Sequence, residues 1–367
     1  MQDIIKGNNM KIGMLCPYYE TTSKDHFFFI EQMKKKLTEK GYDVDIISYK
    51  SLDVPYNQTW ENICTATPLS YLFKKFFGAE PSINQIMYNI KLESSYKELR
   101  TYDLLWNNGG VWSAIFCGKM KQKYHIPYIH TYHKCTSPLM LSIGWTRPTC
   151  YVTSNIEQLH YLDRHNMNLW TECIPHGVNI KDFITEKQIQ QIADLPQPVV
   201  ITSERLDPFN RVTNIVEAVS KTKGSLVIAS TGQQKDIILQ MGQDLLDDRF
   251  VYLGPQPYEN IPELYNSCDL YINASQRVAY PTHILRAMAS GLPVVYHKDD
   301  NRMWFIDEAG HPTDCTCTTT LSKAINTAKF THWADKPYRQ AQKFSFDKTV
   351  EKYDDIINNI MKGKKKG

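Results

Sequence analysis

Two arginines, Arg205 and Arg211, flank a turn in SERLDPFNRV (203–212), directly after the short apolar run VVITS (199–203). A guanidinium meets a phosphate through several donors at once, so this spacing suits an anionic ligand held just past the end of a strand. A second segment, THILRAMASGLPVV (282–295), reads as a short helix, a Gly stop and a buried strand opened by Pro293. The start of such a helix offers free N–H groups and the positive end of its dipole. Beside the carboxyl end of a parallel strand, that is where α/β proteins bind anions. Together the segments suit a reaction in which cations and helix-end amides stabilise charge on a departing phosphate. The arginines equally suit a solvated surface, and spacing alone leaves both readings open.

Further polar groups fall at strand ends. IHTYHK (129–134) carries His130 and His133, and a neutral imidazole there can donate, accept or move a proton. A lone His at a strand end is also a common structural residue. Lys24, Asp25 and His26 lie in the first loop, where they suit contact with a substrate or capping of the next helix. NNGG (107–110) puts Asn108 and Gly109 after the third strand, with the same ambiguity. Neither a G-x-G-x-x-G nor a Walker sequence is present, against a dinucleotide oxidoreductase or a P-loop NTPase.

The elements that must hold these groups follow a regular rhythm. Of 367 residues, 42% are hydrophobic and 22% charged, which suits two globular domains with full cores. The net charge of +3 does not by itself imply a polyanionic partner. Nine Cys are scattered without a CxxC pair or zinc spacing, and no run of about 18 apolar residues spans a membrane. With no signal-peptide core at the start, the expectation is a cytoplasmic protein with no metal site. Strand-like runs at 11–16, 44–48, 103–107, 127–131 and 150–154 alternate with helical segments near 26–40, 85–100, 111–123 and 155–165. A second series has strands at 199–203, 225–230, 249–254, 270–275 and 292–297. Its helices fall near 210–221, 233–243, 258–266, 282–290 and 319–329. This alternation predicts a parallel α/β architecture. Residues 51–84 break the rhythm and read as an insertion. Within it, PLSYLFKKFFGAEP (68–81) suits a peripheral membrane contact or a core-packing helix.

Five segments in order resemble the GT-B glycosyltransferases of family 4. They are IPHGVNIKDF (174–183), SERLDPFNRV (203–212), ASTGQ (229–233), YLGPQPYENIPELYNSCDLYINAS (252–275) and the 282–295 stretch. The resemblance is close over 170–296 and mainly topological over 10–170. It implies two Rossmann-like domains with a cleft between them: 10–175 for acceptor and 196–345 for a nucleotide-sugar donor. A helix at 346–362 returns to the first domain. On the motif positions, Ser203, Arg205, Arg211, Gly254, Pro255, Tyr258, Ala279, Tyr280, Pro281, Thr282, His283 and Arg286 are donor-side residues. His133 is the catalytic candidate, and Lys24, His26, Asn108 and Gly109 are acceptor-side candidates. Asn210 stands where the family has a diphosphate-binding Lys. Val278 and Arg286 stand where it has two Glu, and Arg286 has donors only, so it cannot accept from ribose hydroxyls.

The resemblance implies retaining, metal-independent transfer of a sugar from a nucleotide diphosphate to a hydroxyl acceptor such as a glycan or lipid-linked glycan, with no separate cofactor. Asp43-Val44-Asp45 matches the metal motif of the other large glycosyltransferase fold, but it brackets a strand start and is read as structural. Loss of both Glu also suits a degenerate protein that binds glycan or nucleotide without catalysis. A phage-type transferase acting on DNA bases is a further alternative, supported only by local Lys clusters.

Overall fold

A computed structural model of the chain describes residues 10–19, 24–55, 82–108, 110–132, 146–164, 168–276 and 282–363, without the side chains of 24–26. The chain forms two compact units, Met1–Ile174 with Val350–Gly367, and Pro175–Thr349. Both are parallel α/β layers, as the alternation of strands and helices predicts.

The first unit holds β1 (Lys11–Leu15), β2 (Asp43–Ile47), β3 (Leu104–Asn107), β4 (Tyr128–Tyr132), β5 (Cys150–Thr153) and β6 (Thr171–Cys173), in sheet order β2-β1-β3-β4-β5-β6. All its pairings are parallel. The last helix, Phe346–Met361, starts in the second unit, and its residues from Val350 onward belong to the first. There Tyr353 packs on Trp106 with ring centroids 4.4 Å apart, and Asp354 accepts hydrogen bonds from Lys40 (2.9 Å) and Tyr42 (2.5 Å).

The second unit holds β7 (Val199–Thr202), β8 (Ser225–Ile228), β9 (Phe250–Tyr252), β10 (Leu270–Asn273), β11 (Val294–His297) and β12 (Gly310–Thr313), in order β12-β11-β10-β7-β8-β9. Alternation along the strands divides the core between the two faces. Val199, Ile201, Tyr271 and Val294 pack with helix Thr282–Ala289 on one face. Val200, Leu270, Ile272 and Val295 pack with helices Val212–Ser220 and Thr318–Phe330 on the other. Strand order reverses between β7 and β10, and the carboxyl ends of those two strands form the switch point, where open α/β sheets take their ligands.

Each sheet has one strand more than the five expected. β12 reads Gly-His-Pro-Thr, a poor strand sequence, and it forms at the sheet edge, where Pro312 costs no ladder hydrogen bond. β6 is a three-residue edge strand without fully buried residues. Helices at Asp300–Ile306 and Lys336–Gln342 were also not foreseen. Residues 56–81 lie outside the described residues, and with them the 68–81 segment. Among the described residues, no helix is long and apolar enough to cross a membrane.

Candidate functional site

The loop leaving β7 carries most of the charge at the switch point. Arg205 is exposed, with 71% of its side chain accessible, and its Nε donates to Asp207 at 2.9 Å. That contact holds the Asp207 carboxyl below the ordinary range, and the backbone N–H of Gln233 adds to the effect. Arg211 adopts a left-handed backbone (φ 51) immediately before helix Val212–Ser220, and its guanidinium donates to the Ala274 carbonyl at 3.2 Å. Both arginines thus stand at the carboxyl ends of β7 and β10. Asn210 is buried and braces the loop instead: its amide donates to the Arg205 carbonyl (2.7 Å) and accepts from Ser275 (2.9 Å). The turn after β8 clamps the same loop. A Cβ on Gly232 would lie 2.6 Å from the Leu206 backbone, a contact only glycine permits.

Beneath the arginines runs a polar network that the sequence reading did not single out. Glu204 Oε1 accepts from the Tyr271 hydroxyl (3.0 Å) and the Asn273 amide (2.7 Å), and Oε2 lies 3.2 Å from the Ser275 hydroxyl, whose one proton is shared with Asn210. Burial, then the Glu204 charge, push the Tyr271 phenol well up, so it serves as a donor. Asn273 in turn accepts from Arg302, which also donates to the Ser275 carbonyl (2.8 Å) and, through Nε, to Asp299 (2.6 Å). Arg302 is 1% exposed. The signal for this cluster was the spacing of Tyr271, Asn273 and Ser275, polar groups at every second position of β10 and the residues just after it. His297, at the end of β11, accepts from the Cys315 N–H at 3.2 Å. Burial, then the Arg211 and Arg302 charges, lower its pKa and favour the neutral ring.

The remaining donor-side candidates divide. The Ser203 hydroxyl is committed to Tyr265 (2.8 Å) and Tyr271 (3.1 Å). Gly254 makes its turn with φ 67, Pro255 is exposed, and the hydroxyl of half-buried Tyr258 donates to Asp182 at 2.9 Å. Thr282 and His283 are half-buried at the start of helix Thr282–Ala289, which Gly291 (φ 82) terminates. Arg286, the donor-side candidate of that helix, lies on its buried part. Every residue from Ile284 to Ala289 is buried, and the Arg286 guanidinium lies 5.1 Å from the Tyr258 ring centre, as a cation–π pair. Ala279, Tyr280 and Pro281 lie outside the described residues, as does Val278.

In the first unit, the switch point falls between β1 and β3. Asn108 stands there, its backbone N–H donating to Leu15. Its side-chain amide is shielded from water with no hydrogen-bond partner among the described residues. Lys24 and His26 lie in the first turn of helix Lys24–Glu39, after β1. His133 and Gly109 lie outside the described residues. His130 is structural: it is buried, bonded to the Asn107 amide at 2.6 Å and stacked on Tyr132, and burial pushes its pKa down to about 3. Asp45 of the DxD sequence is held by Tyr102 (2.9 Å) and Lys11 (3.5 Å).

Residues 183–322 match the family model for glycosyl transferases group 1. The chain is 22% identical to N-acetyl-alpha-D-glucosaminyl L-malate synthase of Bacillus anthracis, over 98% of this chain and 99% of that protein. Its fold resembles sucrose-phosphate synthase of Thermosynechococcus elongatus (TM-score 0.73, 17% identity, 96% of this chain and 100% of that one). It also resembles Anabaena HepE solved with UDP-glucose (TM-score 0.65, 17% identity, 95% and 100%). The two six-stranded parallel sheets and these neighbours are those of the GT-B fold, and with the group 1 match on its second unit the chain is a glycosyltransferase.

Proposed function

We propose that this chain is a retaining, metal-independent transferase that moves a sugar from a nucleotide diphosphate to a hydroxyl acceptor. The observation that carries the reading is the placement of Arg205 and Arg211 at the carboxyl ends of β7 and β10. A nucleoside diphosphate gains negative charge as the sugar bond breaks, and two fixed guanidinium groups with helix-end amides stabilise it. Arg205 is accessible and its carboxylate partner among the described residues, Asp207, is buried, so its outer N–H groups are open to a phosphate. Gly254 to Tyr258 would flank the base, and 279–283 would cradle the phosphates. His133 would stand at the reacting carbon. On the acceptor side the proposal rests on Lys24, His26, Gly109 and, most directly, Asn108, whose unsatisfied amide suits a polar ligand. Residues 10–175 would form the acceptor domain, 196–345 the donor domain and 346–362 the returning helix.

HepE was solved with UDP and with UDP-glucose, which favours a uridine donor. The protein would act in the cytoplasm, with 68–81 as a peripheral membrane contact. The reading is tested by thermal shift with UDP, GDP, ADP, CMP and their sugar conjugates, followed by sugar release from the stabilising donor. Stabilisation by one nucleotide diphosphate and its sugar, with release lost in Arg205→Ala, is the expected result. No stabilisation by any member of the panel refutes it.

A further inference from the structure

The geometry points to Glu204 as the carboxylate that holds the donor sugar through its hydroxyl groups. This rests on the proposed transfer reaction and deepens it.

Glu204 lies two residues past the end of β7 and directly before Arg205, at the switch point of the second sheet. Its carboxylate is oriented by two neutral donors, Tyr271 and Asn273, while the Ser275 hydroxyl shares its one proton between Glu204 and the closer Asn210 oxygen. Both bonds fall on Oε1, while among the described residues Oε2 meets the Ser275 hydroxyl at 3.2 Å, shared with Asn210 at 2.9 Å. Each carboxylate oxygen has two acceptor sites, so Oε2 keeps acceptor capacity. The residue is half-buried, hence still open on one side.

The charges around it are arranged so that none of them neutralises it. Arg302 is spent on Asp299, Asn273 and the Ser275 carbonyl; Arg205 pairs with Asp207; Arg211 is tied to Ala274. Among the described residues, Glu204 therefore has no cationic partner. A half-buried carboxylate without one is costly unless something else solvates it. Sugar hydroxyls are donors that can, whereas a phosphate is repelled. With Arg205 and Arg211 close by in the chain to take the diphosphate, Glu204 is left for the neutral, hydroxyl-rich part of the donor.

Arg302 and Asn273 act as positioning residues. Arg302 donates to Asn273 Oδ1, so the amide must face Glu204 with its N–H groups. Reversal would set the Asn273 carbonyl against a carboxylate.

The test compares each nucleotide diphosphate with its own sugar conjugate: UDP with UDP-glucose, GDP with GDP-glucose and ADP with ADP-glucose. Binding is measured on wild type, Glu204→Gln and Glu204→Asp, with circular dichroism to confirm folding. In Glu204→Gln, affinity for the diphosphate stays within about twofold while affinity for the conjugate falls at least tenfold. Glu204→Asp keeps the charge and recovers part of the loss. Equal affinity of wild type and Glu204→Gln for the conjugate overturns the inference and leaves the transfer reading intact. Parallel loss of both ligands in a folded variant also overturns it, assigning Glu204 to the diphosphate or to the scaffold. A wild type that binds no pair overturns both.

Discussion

Replacing Arg302 with Met removes a buried cation while keeping most of the side-chain length, and the structure allows its cost to be worked out. Arg302 is 1% exposed and serves three acceptors: Asp299, Asn273 Oδ1 and the Ser275 carbonyl. Asn273 and Ser275 are at most 1% exposed, so water cannot replace the lost donor. Each orphaned acceptor costs about 1–3 kcal/mol. Asp299 suffers less, because its side chain is 27% accessible and still caps helix Asp300–Ile306 through the backbone N–H of residue 302. Burying the Met side chain returns about 1–2 kcal/mol. The net loss is about 3–5 kcal/mol, in the range for breaking one side of a buried ion pair. For a unit the size of Pro175–Thr349, that lowers the melting temperature by roughly 10 °C. Calorimetry of the full chain is the assay, since two units can melt in separate transitions. Asn273→Ala removes one of the same acceptors, so the double variant should be less destabilised than the sum by about 1–2 kcal/mol. A shift below about 2 °C, or strict additivity, would refute the reasoning by showing that the acceptors find other partners.

Three other substitutions separate scaffold from site. Gly232→Ala drives a methyl into the Leu206 backbone, displacing the loop that carries Arg205. The variant should be less stable by about 1–3 kcal/mol and bind UDP several-fold more weakly by calorimetric titration, whereas unchanged affinity would mean the loop absorbs the clash. Arg286→Met abolishes the cation–π contact with Tyr258, worth about 1–2 kcal/mol when desolvated. Melting should fall while UDP affinity changes less than about threefold; a stable variant that no longer binds UDP would return Arg286 to the donor. His130 takes up a proton near pH 6.5 when unfolded but only near 3 when folded. The unfolded state therefore binds more protons between those values. Stability from this residue is complete above pH 6.5 and declines by up to about 1.4 kcal/mol per pH unit on acidification. His130→Gln should flatten the stability profile between pH 6.5 and 4.5, and an unchanged slope would show that the ring is not held neutral.

Much of this architecture was legible because local pattern and global fold agree. Ten of the strands are apolar runs followed by helical segments, and the Arg205 loop announces itself through Asp207, Pro208 and two cations in a short turn. What escaped was decided by contacts between strands. β12 exists because β11 offers it an edge, not because Gly-His-Pro-Thr favours extension. The burial of Arg286 was also not legible: from Ile284 onward every residue of helix Thr282–Ala289 is buried, and the guanidinium packs against Tyr258.

The same limit bears on the carboxylates. A motif scanned along 277–286 finds Val278 and Arg286 where two Glu are expected, and the natural conclusion is a site that has lost its acceptors. A parallel sheet does not assemble a site from one segment, however. At a switch point, the exits of strands distant in sequence converge, and Glu204 meets Asn273 and Ser275 across about 70 residues of chain. A carboxylate missing from one loop is therefore not missing from the site if another loop carries one to the same strand ends. Glu204 does so, in a polar frame in which Tyr271 and Asn273 donate to it and Arg302 fixes the Asn273 amide. Catalytic competence is thus better judged by donors and acceptors at the carboxyl edge of β7 and β10 than by the count of Glu in a linear motif.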